Sequence, residues 1–131
     1  MQQTEEAKVK SFCSGRAVQA FENAISLAPE EVRHRVNLAL CYTEVPPTDN
    51  PMRGITMLLE LNREHPNSVV VLNQLARLAI KTGQFEKAVE RLEHALSVEP
   101  DNTNANCLMA QALQGAGQAE RAKAFAAKCP Q

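Results

Sequence analysis

The stretch Val69–Asn102, VVVLNQLARLAIKTGQFEKAVERLEHALSVEPDN, decides the fold of this 131-residue chain. Leu72, Leu75, Ala76 and Ala79 recur at i, i+3, i+4 and i+7, the stripe of a helix with one apolar face. Lys81-Thr82-Gly83-Gln84 breaks the pattern, and Gly83 suits the left-handed residue that ends a helix. Phe85, Ala88, Leu92 and Ala95 form a second stripe. It stops at Glu99-Pro100, because proline cannot continue a helix and restricts the residue before it. The spacing predicts two helices joined by a tight turn.

The same pattern returns on both sides. Towards the C-terminus one interval of thirty-four relates Pro66 to Pro100, Leu75 to Met109, Ala76 to Ala110, Ala79 to Leu113, and Gly83 to Gly117. Towards the N-terminus the interval becomes thirty-seven, relating Ala17 to Gly54, Phe21 to Leu58, Ala24 to Leu61, Pro29 to Pro66 and Leu38 to Leu75. One three-residue insertion between Tyr42 and Gly54, in the loop Thr43–Pro51, accounts for the shift. Lengthening a loop adds only tenths of a kcal/mol in closure entropy. Asn50-Pro51 predicts a helix start, an N-cap followed by the residue best tolerated at the first helical position. A period of this length marks stacked helix pairs, each burying its second face on a neighbour.

Composition agrees. Of the chain 44% is hydrophobic but only 4% aromatic, namely Phe12, Phe21, Tyr42, Phe85 and Phe125. The core is therefore expected to consist of small aliphatic contacts between helices. A net charge of −1 excludes a general nucleic-acid binder, which must neutralise phosphates, and a polybasic membrane-surface protein. No apolar run reaches the ~18 residues of a membrane span. Met1–Glu6 has neither a basic nor an apolar signal segment, so no signal peptide is expected at this start.

Cys13, Cys41, Cys107 and Cys129 include no CxxC pair, and His34, His65 and His94 do not pair with them, so no metal is expected. In an all-helical chain the four are expected to be free thiols, which favours a reducing, cytoplasmic compartment. The alternative is a soluble domain of a membrane-anchored or exported protein, if Met1 is not the natural start. Phosphate-loop, nucleophile-elbow, zincin and dinucleotide signatures are absent. Glu86, Glu90 and Glu93 alternate with Lys87 and Arg91 as on a solvated helix face. No catalysis and no cofactor are expected.

Residues 69–102 resemble the tetratricopeptide repeat (TPR) family. Leu72, Leu75, Ala76, Gly83, Phe85, Ala88, Leu92, Ala95 and Pro100 fill its large, small and terminal places, and only Ala79 stands where a larger residue is common. The unit 32–68 contributes Leu38, Ala39, Tyr42, Gly54, Leu58, Leu61 and Pro66, and the unit 103–131 Met109, Ala110, Leu113, Gly117, Ala122 and Ala126. Residues 14–31 match a partial unit, within a repeat domain at 14–131, and 1–13 read as a lead-in or capping helix. The resemblance implies an all-α, right-handed superhelical solenoid of about seven or eight helices in antiparallel pairs.

It further implies a concave groove lined by first helices. Carried over, the groove positions are Arg33, Val36, Asn37, Leu40, Thr43 and Glu44, then Val70, Asn73, Gln74, Arg77, Ile80 and Lys81. The last unit supplies Asn104, Cys107, Leu108, Gln111 and Gln114. The expected site is Arg33, Asn37, Asn73, Arg77, Lys81, Asn104 and Gln111. Amides donate and accept to an extended backbone, and Arg77 adds a bidentate contact to a carboxylate. The family's clamp for chaperone C-terminal carboxylates needs Lys, Asn and Arg where this chain has Val36, Leu40, Gln74, Asn104 and Leu108, so that ligand is not expected. The expected function is a non-catalytic scaffold holding a peptide or helix of a partner protein; the alternative is a self-assembly module of a larger TPR protein. No nucleic acid and no membrane contact is expected, and the chain is expected to be a monomer or weak homodimer.

Overall fold

The computed structural model describes residues 15–44 and 51–130. The expected lead-in at 1–13 and the Asn50 cap lie outside the described residues. Seven helices are found there: α1 (Gly15–Leu27), α2 (Val32–Glu44), α3 (Pro51–Glu64), α4 (Val69–Lys81), α5 (Phe85–Val98), α6 (Thr103–Gly115) and α7 (Ala119–Ala126). They pack as successive antiparallel pairs. The chain divides into two compact units, Met1–Leu61 and Asn62–Gln131.

In the second unit the helix ends follow the repeat. Ser68 Oγ accepts from Val71 N–H at 3.5 Å, and Asn102 Oδ1 accepts from Ala105 N–H at 2.9 Å, so each first helix opens on a side-chain cap. Both first helices end in the same way. Gly83 has φ 77° and Gly117 φ 81°. Gln84 N–H donates to the Ala79 carbonyl and Gln118 N–H to the Leu113 carbonyl, both at 2.8 Å. These are six-to-one closures around a left-handed residue, which glycine adopts without a Cβ penalty.

The core of this unit is small and aliphatic. Leu72, Ala76, Ala79, Ala88, Leu92, Ala95, Ala105, Met109, Ala112, Leu113 and Ala122 are buried, with Phe125 partly buried against them. Alanines on facing helices allow close approach, and α6 packs on both α4 and α5.

In the first unit α1 packs on α2. Leu38, Ala39, Cys41, Tyr42, Leu58 and Leu61 are buried. A Cβ on Gly54 would lie 2.7 Å from the Ala39 carbonyl oxygen, so glycine is what lets α3 approach α2 there. Tyr42 joins the three helices: its hydroxyl donates to Glu22 Oε1 at 3.2 Å, and the Arg53 guanidinium sits 4.5 Å from its ring centre.

Burial raises the Tyr42 pKa above its ordinary 10.0; the nearby Arg53 charge opposes the shift, and the bond to Glu22 reinforces it. The folded state thus holds this proton more tightly than the unfolded chain. Its contribution to stability is complete below pH 10.0 and is lost as pH rises through the raised value. Tyr42→Phe should therefore make the alkaline loss of stability shallower. Tyrosinate absorbance reports Tyr42 alone, because the chain has one Tyr and no Trp. A midpoint at or below the ordinary tyrosine value would refute the assignment.

Candidate functional site

The first helices of the second unit, α4 and α6, lie side by side. Each turns one stripe to its own unit's core and leaves another facing out. On α4, Val70 and Lys81 are exposed and Gln74 and Arg77 half-buried; on α6, Asn104, Gln111 and Gln114 are exposed. Arg77 Nε donates to Gln74 Oε1 at 3.0 Å, which orients the guanidinium along the helix. In the first unit Arg33 is exposed and Asn37 half-buried on α2. Val36 and Leu40, groove positions by resemblance, are buried at 2% and 4% exposure.

Asn73 is also buried, at 6% exposure. Its Nδ2 donates at 3.2 Å to Asn102 Oδ1, the same oxygen that caps α6. Asn106 adds to this cluster, its Nδ2 donating to the carbonyls of Asn102 at 3.0 Å and Pro100 at 3.3 Å. Three asparagines thus tie the middle of α4 to the start of α6. Asn102 and Asn106 were missed as positioning residues, although an Asn directly before a helical stripe is a legible cap signal.

The two first helices of the second unit carry no acid. Within their bounds α4 carries Arg77 and Lys81, α6 carries no charged residue, and neither contributes a carboxylate. The second helices carry both signs, Glu86, Glu90 and Glu93 with Lys87 and Arg91 on α5 and Glu120 with Arg121 and Lys123 on α7. Exposed Glu99 and Asp101 lie in the loop before α6. His94 Nε2 pairs with Asn67 Oδ1 at 2.9 Å. An open depression of 480 Å³ lies by the α4–α5 turn, lined by Gly83, Phe85, Lys87, Gly115 and Ala116 among others, and none of the seven expected site residues lines it.

The free-thiol expectation is overturned. Cys107 and Cys129 form a disulfide with their Cα atoms 5.0 Å apart, and Cys41 is disulfide-bonded as well. No described cysteine is free, so unpaired thiols give no ground for a cytoplasmic compartment. The two cysteines are remote along the chain, but the antiparallel α6–α7 hairpin folds its far end back beside α6. Among the described residues no group of three or more His, Cys, Asp or Glu comes together to hold a metal ion, and no helix is long and apolar enough to cross a membrane.

A tetratricopeptide-repeat profile matches residues 79–131. The fold is TPR-like. Among solved structures, one of MamA superposes with a TM-score of 0.68 at 16% identity, covering 98% of this chain and 74% of that one. MamA AMB-1 gives 0.66 at 21% identity over 93% and 70%, and MamA MSR-1 gives 0.64 at 21% over 94% and 69%. At these identities the likeness concerns the fold. A comparison with curated proteins finds no match. Within this TPR-like fold, the side chains of the α4–α6 face are mainly amides, with exposed Lys81 and half-buried Arg77.

Proposed function

We propose that the chain is an interaction scaffold whose α4–α6 face holds an extended, acidic segment of a partner protein. The observation that carries this reading is that neither α4 nor α6 bears a carboxylate: their face combines exposed Lys81, Asn104 and Gln111 with half-buried Gln74 and Arg77. Amides satisfy the donors and acceptors of an extended backbone, and exposed Lys81 favours a carboxylate, with Arg77, its Nη atoms covered, adding positive charge. Asn73 enters through Asn102, by holding the start of α6 and hence Asn104 in register. In the first unit Arg33 and Asn37 offer the same chemistry from α2.

The test pans a displayed library of unstructured peptides against the protein and measures each selected peptide by fluorescence anisotropy. Selected sequences should be enriched in Asp and Glu. Lys81→Glu with Gln111→Glu, both exposed, should weaken them by about tenfold or more, with the helical circular dichroism unchanged. Equal affinity in the double variant would remove the α4–α6 face from the proposal.

A further inference from the structure

The two cysteines of the second-unit disulfide occupy telling places in the repeat. Cys107 lies one repeat length after Asn73, and Cys129 one repeat length after Ala95. In the preceding pair both positions are covered: Asn73 is 6% exposed and bonded to the cap of α6, and Ala95 is fully buried. There α6 lies across α4 and α5 and clamps them together. On the α6–α7 pair the equivalent positions are instead joined to each other. Besides the disulfide, α7 is held on α6 by buried Ala122 and partly buried Phe125. It is eight residues long, its Gln118 cap makes no side-chain bond, and Ala122 is its one buried residue. Its ion pair, Lys123 to Glu120, lies within the helix with both side chains exposed.

We propose that Cys107–Cys129 is a redox latch, which ties the end of α7 to α6 and loosens α7 when a dithiol reductant opens it. Both cysteines are half-buried and so within reach of a thiolate. The reductant's thiolate attacks one sulfur, forming a mixed disulfide and freeing the other cysteine as thiolate. The reductant's second thiol then displaces the mixed disulfide. Two electrons and two protons pass to the protein, leaving two thiols and the oxidised reductant. A helix of this length has little stability of its own, so without the bond α7 rests on Ala122 and Phe125 alone and opens more often, while α4 and α5 stay clamped under α6.

Amide hydrogen exchange read by mass spectrometry tests this, on the oxidised protein, the dithiothreitol-treated protein, and a Cys107→Ser, Cys129→Ser double variant that keeps the disulfide of Cys41. Residues 119–126 should exchange about tenfold faster or more in both the reduced protein and the variant, with α4 and α5 within about twofold of the oxidised protein. Unchanged α7 protection in the double variant overturns the latch, as does an equal loss of protection across α4 and α5. An effect seen with dithiothreitol alone assigns it to the Cys41 bond and likewise overturns the latch. The readout involves no ligand, so the outcome is independent of the proposed peptide face.

Discussion

Leu92→Ala is expected to destabilise the second unit by about 3–5 kcal/mol, the upper part of the range for burying a cavity in place of a leucine. Leu92 is fully buried in α5, and its core includes Ala76, Ala88, Ala95 and Ala112. Methyl groups have no rotamers with which to fill a hole, so collapse would require whole helices to shift. Helices that already meet through alanine have little room to do so. Guanidinium denaturation followed by circular dichroism should show a lower midpoint for the second-unit transition at an unchanged slope. Leu92→Met, which conserves volume, should cost less than about 1.5 kcal/mol. If the two variants were equally stable, this core would be far more plastic than its packing implies.

Asn102→Ala should rank next, at about 2–4 kcal/mol, the sum of two losses. One part is the lost cap of α6, about 1 kcal/mol. The other is the buried Asn73 amide, which loses its acceptor at a cost of about 1–3 kcal/mol. Asn102→Asp keeps an acceptor for both Ala105 N–H and Asn73 Nδ2 and should stay within about 1 kcal/mol of the parent. Asn73→Leu leaves the cap of α6 intact and should cost less than about 1.5 kcal/mol. Thermal unfolding of the three variants decides the matter. An Asn102→Ala effect no greater than the cap alone would mean that the α4–α6 amide bond adds nothing.

What was legible in the sequence was whatever depends on local chemistry repeated at a fixed interval. Gly83 and Gly117 could be assigned to left-handed turns because the residue type, the position after a stripe and the spacing all agreed, and both have positive φ. The stripes of α4 and α5 were equally plain, since periodicity alone separates buried from exposed positions. What was not legible depends on which groups meet across helices. Asn73 has the chemistry of a peptide reader; only its acceptor 29 residues away makes it a positioning residue. Val36 and Leu40 show the reverse case. Their repeat position suggested a groove, while their apolar side chains already favoured burial.

The cysteines teach the same lesson. Searching for neighbouring pairs could not find a bond between Cys107 and Cys129. Shifting each back by one repeat length shows only that both sit at positions buried in the preceding pair, those of Asn73 and Ala95. Repeat phase carries tertiary information that motif spacing does not.

Tyr42, set between α1 and α3 in the first unit, is the only tyrosine, and the chain has no tryptophan. All intrinsic emission beyond that of phenylalanine therefore originates in one unit, whereas four of the seven described helices, α4 to α7, belong to the other. Fluorescence of this protein thus observes one unit, whereas circular dichroism observes both. Their transitions need not coincide even when each unit folds in a single step.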